Sequence, residues 1–257
     1  MAWTWDLDTF AALWFNEGND RMPSPLRYRS RFATLDELEA HQSAVRAGYH
    51  GEERTHIDLL VHTVASCDMR IEILCSTVSY KGSDGKTPRH RRMVGARNAQ
   101  YAALLHQTGT HDEFGDIHAR LVHPEQLPAA LTGALPPCKP GSQPRATFHV
   151  DELKPSTGYK VDNARNSSRE RFDRLARRPA DGGGQAILRL GTFHAQPNRH
   201  RALQWYDITD DGRYIEHRDH TYLDIRPGTP QDLTATFANW MDQATQQLRA
   251  READAWY

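Results

Sequence analysis

The stretch that decides the fold is GQAILRLGT at 184–192 followed by LQWYD at 203–207. Both segments are rich in the aliphatic and aromatic residues that favour strands. Next, DDGRY at 210–214 predicts a turn, and YLDI at 222–225 predicts another strand. PQDL at 230–233 then predicts the start of a helix, because Pro is well suited to the first helical position. The second half of the chain therefore predicts a unit of paired strands followed by a long helix.

The first half of the chain repeats this order of elements. The matching segments are MRIEILCSTV at 69–78, residues 93–105, residues 117–122 and PEQL at 124–127. Such a duplication predicts an α+β fold in which two similar units form one pseudo-symmetric body. Because neither copy carries a catalytic signature, the pattern favours a protein built as a binding surface.

A proline-rich stretch separates the two halves. PPCKPGSQP at 136–144 disfavours helix and sheet because each Pro lacks an amide donor. We therefore expect an N-terminal half at 1–135, a linker at 136–147 and a C-terminal half at 148–257. Both halves are expected to share one central sheet.

Local signals place several elements. Thr34 and Glu37 form a capping box that predicts a helix ending near Gly48, and the similar signal at 55–58 predicts a second helix. We expect a strand over 69–80, followed by a turn at Asp84-Gly85. At the other end of the chain, five apolar residues share one face of the last helix and predict core contacts: Leu233, Phe237, Trp240, Met241 and Ala244. The distal residues Leu248, Trp256 and Tyr257 are expected to offer surface to a partner.

An arginine-rich segment covers residues 162–178. We interpret it as a solvated helix with Phe172 and Leu175 turned inward; a basic docking surface is the alternative. Residues 181–184 (DGGG) predict a flexible hinge after it, because glycine lacks a Cβ atom.

Composition excludes some classes of protein. The 32 basic and 33 acidic residues nearly cancel, which disfavours nucleic-acid binding. The three cysteines form no even disulfide set and favour a reducing, cytoplasmic location. No apolar run approaches the ~18 residues that a membrane span needs. We therefore expect a soluble cytoplasmic protein.

Signatures of an enzyme are weak. The segment at 82–87 resembles a phosphate-binding loop, but its first glycine would fall on Tyr80, so no cofactor site is predicted. The histidines show no ligand spacing specific for a metal. We predict no enzyme. The alternative is a metal-assisted hydrolase that uses His217, Asp219 and His220.

The order of motifs resembles the EspG family of ESX (type VII) secretion chaperones of actinobacteria. The resemblance runs through most of the chain. The segments that carry it are FAALW at 10–14, the strand from Met69, ARLVHPEQLPAALTGALP at 119–136, GQA at 184–186, QWYD at 204–207 and DGRY at 211–214.

The resemblance implies a central antiparallel sheet flanked by helical bundles, with quasi-two-fold symmetry. It also implies a monomer or weak dimer that binds PE-PPE-like heterodimers, or other helical-hairpin substrates, and keeps them soluble before export. The segment at 16–31 departs from the family pattern because it is rich in Arg and Pro, which leaves the identity of the client open.

In that family the client meets the sheet face, a loop between two strands of the first half and the C-terminal helix. The corresponding partner-binding residues here are expected to be Tyr80, Lys81, Asp84, Lys86, Arg89, Arg91, Trp205, Tyr206 and Leu248. Since Trp205 and Tyr206 alternate along a strand, we expect one in the core and the other toward the client.

Overall fold

The computed structural model describes residues 1–154, 167–194 and 198–254. Within these ranges it is an α+β protein with six α-helices and one ten-stranded antiparallel sheet, which confirms the predicted α+β class and its antiparallel sheet. The elements are β1 Ala2–Trp5, α1 Leu7–Trp14, α2 Leu35–Gly48, α3 Gly51–Ala65, β2 Met69–Thr77, β3 Arg89–Arg97, β4 Ala102–Gly109, β5 Phe114–Val122, α4 Leu127–Gly133, β6 Ala146–His149, α5 Ser168–Ala176, β7 Ala180–Leu190, β8 Asn198–Ile208, β9 Gly212–Arg218, β10 Tyr222–Pro227 and α6 Pro230–Asp254. None of the described helices is apolar over enough of its length to cross a bilayer.

The strand order is β1-β5-β4-β3-β2-β7-β8-β9-β10-β6. Strands β2 and β7 are therefore the central pair, although more than a hundred residues separate them in the chain. Their register runs without a shift from Met69 opposite Leu190 to Thr77 opposite Gly182. This pairing makes one sheet from strands of both halves of the chain.

One face of the sheet carries helices α4 and α6. Ile71, Ile73 and Cys75 point from β2 to this face, where they join Trp205 of β8 in a continuous buried cluster. The helical stripe predicted from the sequence completes that cluster: Leu233, Phe237, Trp240, Met241 and Ala244 are all buried. The core role of Trp240 is thus confirmed.

The opposite face is covered at its two sides. Helices α1 and α3 cover the outer strands of the first half, where Phe10, Trp14 and Leu60 are fully buried. Helix α5 covers the outer strands of the second half through Phe172 and Leu175. Among the described residues, no helix covers the central strands between these two groups on this face.

Of the two helix starts predicted in the first half, one is confirmed and one is wrong. At α2 the Thr34 hydroxyl accepts from the Glu37 amide at 3.3 Å and the Glu37 carboxylate accepts from the Thr34 amide, which confirms the capping box. The signal at 55–58 is wrong: α3 already begins at Gly51, and the Thr55 hydroxyl donates to the Gly51 carbonyl at 3.1 Å. Glu52 and Glu53 in the first turn favour this earlier start, because acidic groups stabilise the positive end of a helix.

The strand predictions in the first half need two adjustments. The strand expected over 69–80 ends at Thr77, and the segment 93–105 spans parts of β3 and β4 rather than one element. The turn between β3 and β4 is made by Asn98, whose side chain accepts from the Gln100 and Tyr101 amides. The turn at Asp84-Gly85 is confirmed, with Gly85 at φ 69°.

The predicted glycine hinge is wrong. Residues 181–184 lie within β7 and pair with the end of β2. A Cβ atom on Gly184 would lie 2.4 Å from the Cys75 Cβ atom and 2.5 Å from the Trp205 ring. Glycine is therefore used here for close packing, not for flexibility.

The arginine-rich segment is helical in the part that the structure describes. Residues 162–166 lie outside the described ranges. From Ser167, which caps α5 by accepting from the Glu170 amide, the helix packs Phe172 against Phe148 at a ring distance of 5.7 Å. The inward orientation of Phe172 and Leu175 is confirmed by their contact with this cluster.

Arg213, in the DGRY turn, fixes the stretch that follows α4. Its guanidinium is 2% exposed and donates to both carboxylate oxygens of Asp207 at 2.7 and 2.8 Å. It also donates to the Pro136 carbonyl at 3.0 Å, while its amide donates to the Lys139 carbonyl. The beginning of the predicted linker is therefore held against the second half.

The close packing at Gly184 can be tested by substitution. We expect Gly184→Ala to lower the free energy of unfolding by about 1–3 kcal/mol, because the new methyl group overlaps Cys75 and Trp205. Gly133→Ala in α4 is the control, since its Cβ atom meets nothing within 4 Å and alanine favours a helix. Urea unfolding of both variants measures the difference. Equal stability of the two variants would show that Gly184 is not a packing constraint.

Candidate binding face

The central strands present an exposed surface on the side away from α6. We call this surface the open face and define it by Leu74, Gln185, Gln204, Tyr206 and Glu216. Leu74 and Tyr206 are each 38% exposed, which is unusual for large side chains in the middle of a sheet. The open face is the principal uncovered part of the sheet among the described residues.

Strand register brings these residues together. Leu74 of β2 lies opposite Gln185 of β7, which lies opposite Gln204 of β8, which lies opposite Glu216 of β9. Since directly paired residues of neighbouring strands point to the same face, the four side chains form one row. Tyr206 lies beside this row, and its hydroxyl oxygen is 3.1 Å from both Gln204 Oε1 and Glu216 Oε2, which share its single proton as acceptors.

The electrostatics of the open face depend on Tyr206 and Glu216. Burial, and then the charge of Glu216, raises the pKa of the Tyr206 hydroxyl to about 12. Burial likewise raises the pKa of the Glu216 carboxyl above its ordinary value of 4.5, and the hydrogen bond from Tyr206 opposes that change. At neutral pH the Tyr206 hydroxyl is therefore protonated and remains a donor.

A small apolar cavity of about 200 Å³ lies where the open face meets α5. Phe172, Leu175, Ile225 and Tyr206 are among the residues that line it. This cavity extends the apolar part of the surface beyond Tyr206. The open face thus combines apolar contact area with polar groups at fixed positions.

The loop between β2 and β3, residues 78–88, borders the open face at one end of the strands. Val78 donates to the Asp181 carbonyl at 2.7 Å, which fixes the start of the loop against β7. Asp84 then accepts from the amides of Thr87 and Lys86 at 2.7 and 2.8 Å. These bonds, with that from Thr87 first, lower the pKa of Asp84 to about 2. The side chain of Asp84 therefore orders the turn.

The cations predicted for this loop separate into two groups. Lys81 and Lys86 are exposed, and the exposed Arg89 places its guanidinium 5.2 Å from the centre of the Tyr80 ring. Arg91 donates to the Ala134 carbonyl at the end of α4. Because residues two apart on a strand point to the same face, Arg89 and Arg91 both lie on the α4 side of β3. The structure thus brings Arg89 and Tyr80 together, and Arg91 is committed to a structural contact.

Trp205 and Tyr206 point to opposite faces, as their alternation predicts. Trp205 is 1% exposed and packs below the guanidinium of Arg213, at 5.8 Å from the centre of its ring. Its side chain therefore has no surface to offer a partner. Of the two residues, Tyr206 alone contributes to the open face.

Leu248 lies far from the other predicted residues. Its neighbours Gln246 and Arg249 line a cleft together with Arg97, at the end of β3 opposite Arg89. Leu248 itself is partly buried against the core below α6. The structure therefore does not join Leu248 to the loop at 78–88. Trp256 and Tyr257 lie outside the described residues.

The alternative hydrolase site lacks a suitable geometry. His217 belongs to β9, whereas Asp219 accepts from the Thr221 and Tyr222 amides in the turn that follows. Over the described ranges, no three His, Cys, Asp or Glu side chains are grouped to hold a metal ion. Burial also raises the pKa of the Cys75 thiol to about 12, so it is not a thiolate at neutral pH.

Sequence reasoning missed most of the open face. Leu74, Gln185, Gln204 and Glu216 were not among the predicted residues, because their proximity depends on register between distant strands. The sequence did contain one signal: polar residues alternate with apolar residues along these strands, as Gln204 does with Trp205. That signal marks an exposed strand face but does not say which strands are neighbours.

Comparison with known proteins gives one clear result. The model of the EspG family matches residues 6–239, which is most of the chain. That family is associated with chaperone function in ESX secretion and is not known for enzymatic activity. No curated protein matches the chain.

The hydrogen bond between Tyr206 and Glu216 gives a pH-dependent prediction. The buried carboxyl has a raised pKa, so its ionisation costs stability at neutral pH, and this cost fades as the pH falls through the raised pKa toward 4.5. Tyr206→Phe removes a donor to the ionised form. We expect it to lower the free energy of unfolding by about 1 kcal/mol at pH 7.5 and by less at pH 4.

Tyr222→Phe on β10 is the matched control, because Tyr222 is an exposed tyrosine whose described contact is a ring contact with His149. Its expected effect is below about 0.5 kcal/mol at both pH values. Urea unfolding at the two pH values measures both variants. A loss for Tyr206→Phe that is the same at pH 4 and pH 7.5 would contradict the assigned role of Glu216.

Proposed function

Because the chain belongs to the EspG family, we propose that it is a cytosolic chaperone or adaptor of an ESX secretion system. Its clients are helical-hairpin secretion substrates, such as PE-PPE-like heterodimers. It binds them reversibly and keeps them soluble before export. The observation that carries this proposal is the open face, a partly apolar surface in the middle of the sheet with an ordered cationic loop at its edge.

The physical task explains why such a surface is suitable. A helical tip with exposed apolar residues tends to aggregate, and covering it gains roughly 25 cal/mol per Å² of apolar surface before the costs of association. Leu74 and the ring of Tyr206 supply apolar area, while Gln185, Gln204 and Glu216 keep the surface polar enough for the free chaperone to remain soluble. A mixed surface also permits release, as a transient complex requires.

The architecture is proposed to be pseudo-two-fold. From the centre outward, the strand order is β2, β3, β4, β5, β1 in one half and β7, β8, β9, β10, β6 in the other. Ile73 opposite Ala186 is the middle pair of the central register, and α4 and α6 follow equivalent strands. This supports division into 1–135, a linker at 136–147 and 148–257, with helical groups flanking the shared sheet. The chaperone is proposed to act as a monomer or weak dimer.

The client is proposed to contact the loop at 78–88 and the open face together. Ser76 lies between Leu74 and the loop and is opposite Gly183, which lies opposite Tyr206. A Cβ atom on Gly183 would lie 2.6 Å from the Trp205 carbonyl oxygen, so close strand packing keeps this position free of a side chain. Contact with Leu248 as well would require a client that extends along the full length of the central strands, about 30 Å.

A complex with a client tests this proposal. Each helical-hairpin substrate encoded beside the gene is co-expressed with the chain and analysed by size-exclusion chromatography with light scattering. We expect a stoichiometric complex with at least one client that is insoluble alone. If every candidate stays soluble alone and none co-elutes, the chaperone function is contradicted.

The loop is tested within that complex. We expect the triple substitution Tyr80→Ala, Lys86→Ala and Arg89→Ala to weaken client binding about tenfold, since it removes the stacked pair and a free cation. Arg54→Ala on α3 is the control, because it removes a half-buried arginine that pairs with the exposed Asp58 at a distant site. Calorimetry measures affinity and thermal unfolding measures stability. Unchanged affinity of the folded triple variant would remove the loop from the interface.

A further inference from the structure

A second surface lies next to the loop at 78–88, on the same side of the sheet as the open face. It is a cleft of about 950 Å³ between the segment 22–29 and strands β2 and β3. We call it the cationic cleft. The residues that carry its chemistry are Arg27, Arg29, His90, Arg92 and His111.

Arg92 forms the base of the cationic cleft. The residue is 6% exposed, and its guanidinium lies 5.3 Å from the centre of the Phe114 ring. One terminal nitrogen donates to the Thr110 carbonyl at 3.3 Å, and the other has no hydrogen-bond partner. Burying a cation in this way costs free energy unless an anion compensates it. The position of Arg92 is therefore unfavourable unless an anion approaches.

The neighbouring cations make the position of Arg92 still less favourable in the absence of an anion. Burial, and then the positive charge of Arg27, lowers the pKa of Arg92. Burial also lowers the pKa of His90, with further contributions from Arg92 and His111. Within the described ranges, none of Arg27, Arg29 and Arg92 forms a salt bridge. The exposed Asp112 is the one carboxylate among the residues that line the cleft.

The segment 22–29 is held firmly over the strands. The fully buried Gln107 accepts from the Arg27 amide at 2.9 Å and donates to the Arg27 carbonyl at 2.8 Å. Its amide thus pairs with the backbone of the segment as a neighbouring strand would. Leu26, which belongs to this segment, is buried and anchors it to the strands below. Arg27 is consequently fixed close to Arg92 despite the repulsion between their charges.

The walls of the cationic cleft are partly apolar. Phe15, Met22 and Phe114 are half-buried, and Leu74 belongs to both the cleft and the open face. A small inorganic anion makes no favourable contact with apolar walls, whereas a peptide carries carboxylates and apolar side chains together. The cleft also continues into the surface proposed for the client.

We propose that the cationic cleft binds a carboxylate-bearing, partly apolar segment of the client protein. Arg27 and Arg29 contact the carboxylate at the rim, and Arg92 supplies positive charge from below. This inference rests on the proposed chaperone function and specifies the chemistry of its partner. The cleft therefore selects acidic segments, while the open face accepts apolar ones.

The first test uses the whole chain and a defined probe. The ¹⁵N-labelled protein is titrated with the capped pentapeptide LEGEL, with its amide counterpart LQGQL and with inorganic phosphate, at low and equal ionic strength. Nuclear magnetic resonance follows the side-chain Nε–Hε signals of the arginines. We expect saturable shifts with LEGEL and binding about tenfold weaker with LQGQL, since two or three exposed ion pairs are lost. No saturable shift with LEGEL, or shifts with phosphate alone, would overturn the proposal.

Matched variants separate binding from folding. We expect Arg27→Gln with Arg29→Gln to weaken LEGEL binding about fivefold without loss of thermal stability, because both side chains are exposed. Arg120→Gln is the control: it removes an exposed arginine of β5 that faces the other side of the sheet, paired with Leu104. Equal LEGEL affinity in the double variant and the control would overturn the assignment of the cleft.

The same double variant separates this proposal from the chaperone function. In the client complex it is expected to weaken binding by a similar factor, while Arg120→Gln leaves binding unchanged. A client that binds wild type and double variant equally overturns the role of the cleft but leaves the chaperone function intact. Failure of the wild type to bind any client overturns the chaperone function, and the peptide titration still decides whether the cleft takes carboxylates.

Discussion

The pairing of β2 with β7 is the interaction on which the rest of the structure depends. It joins five strands from each half into one sheet, with an unbroken register along the whole of β2. Glu72 reinforces it across the strands: its carboxylate accepts from Arg70 on β2 and from Arg189 on β7, at 2.9 Å in each case. Because Glu72 and Arg70 are buried, loss of one partner would leave a charge without compensation, which is much more costly than the loss of a surface ion pair. The pairing is therefore fixed by backbone register and by charge together.

The described helices cover one face of this central strand pair and leave the other face exposed. On one face, Gly184 lets Trp205 approach Cys75, and the apolar stripe of α6 closes the core over them. On the other face the helices stand at the sides, so Leu74, Gln185 and Tyr206 stay exposed in the middle. A sheet face with exposed apolar side chains between two groups of helices offers contact area of the kind that a client helix would need. The open face is thus a consequence of where the described helices lie, not of a special motif.

Local signals in the sequence predicted the parts of the fold that local interactions determine. The capping box at Thr34 and the start of α6 at Pro230 each depend on bonds within a few residues. The alternation of Trp205 with Tyr206 depends on the geometry of one strand. The hinge predicted from the glycines at 182–184 is wrong because the role of these glycines depends on Trp205 and Cys75, which are distant in sequence. The open face and the cationic cleft were missed because they too depend on residues distant in sequence. The open face depends on the register of β2 with β7, and the cleft depends on the two hydrogen bonds between the Gln107 side chain and the Arg27 backbone. Leu248 was grouped with the loop at 78–88 because sequence does not reveal that α6 carries it to the opposite end of the sheet.

The most direct test of the account is hydrogen exchange of the chain with and without a co-purified client, followed by mass spectrometry. The central claim is that the client occupies the open face and its bordering loop. The account predicts slower exchange in peptides covering Leu74 to Arg89 and Gln204 to Glu216 on client binding, with little change in α2 and α3. Slower exchange confined to α2 and α3, with the central strands unchanged, would contradict it.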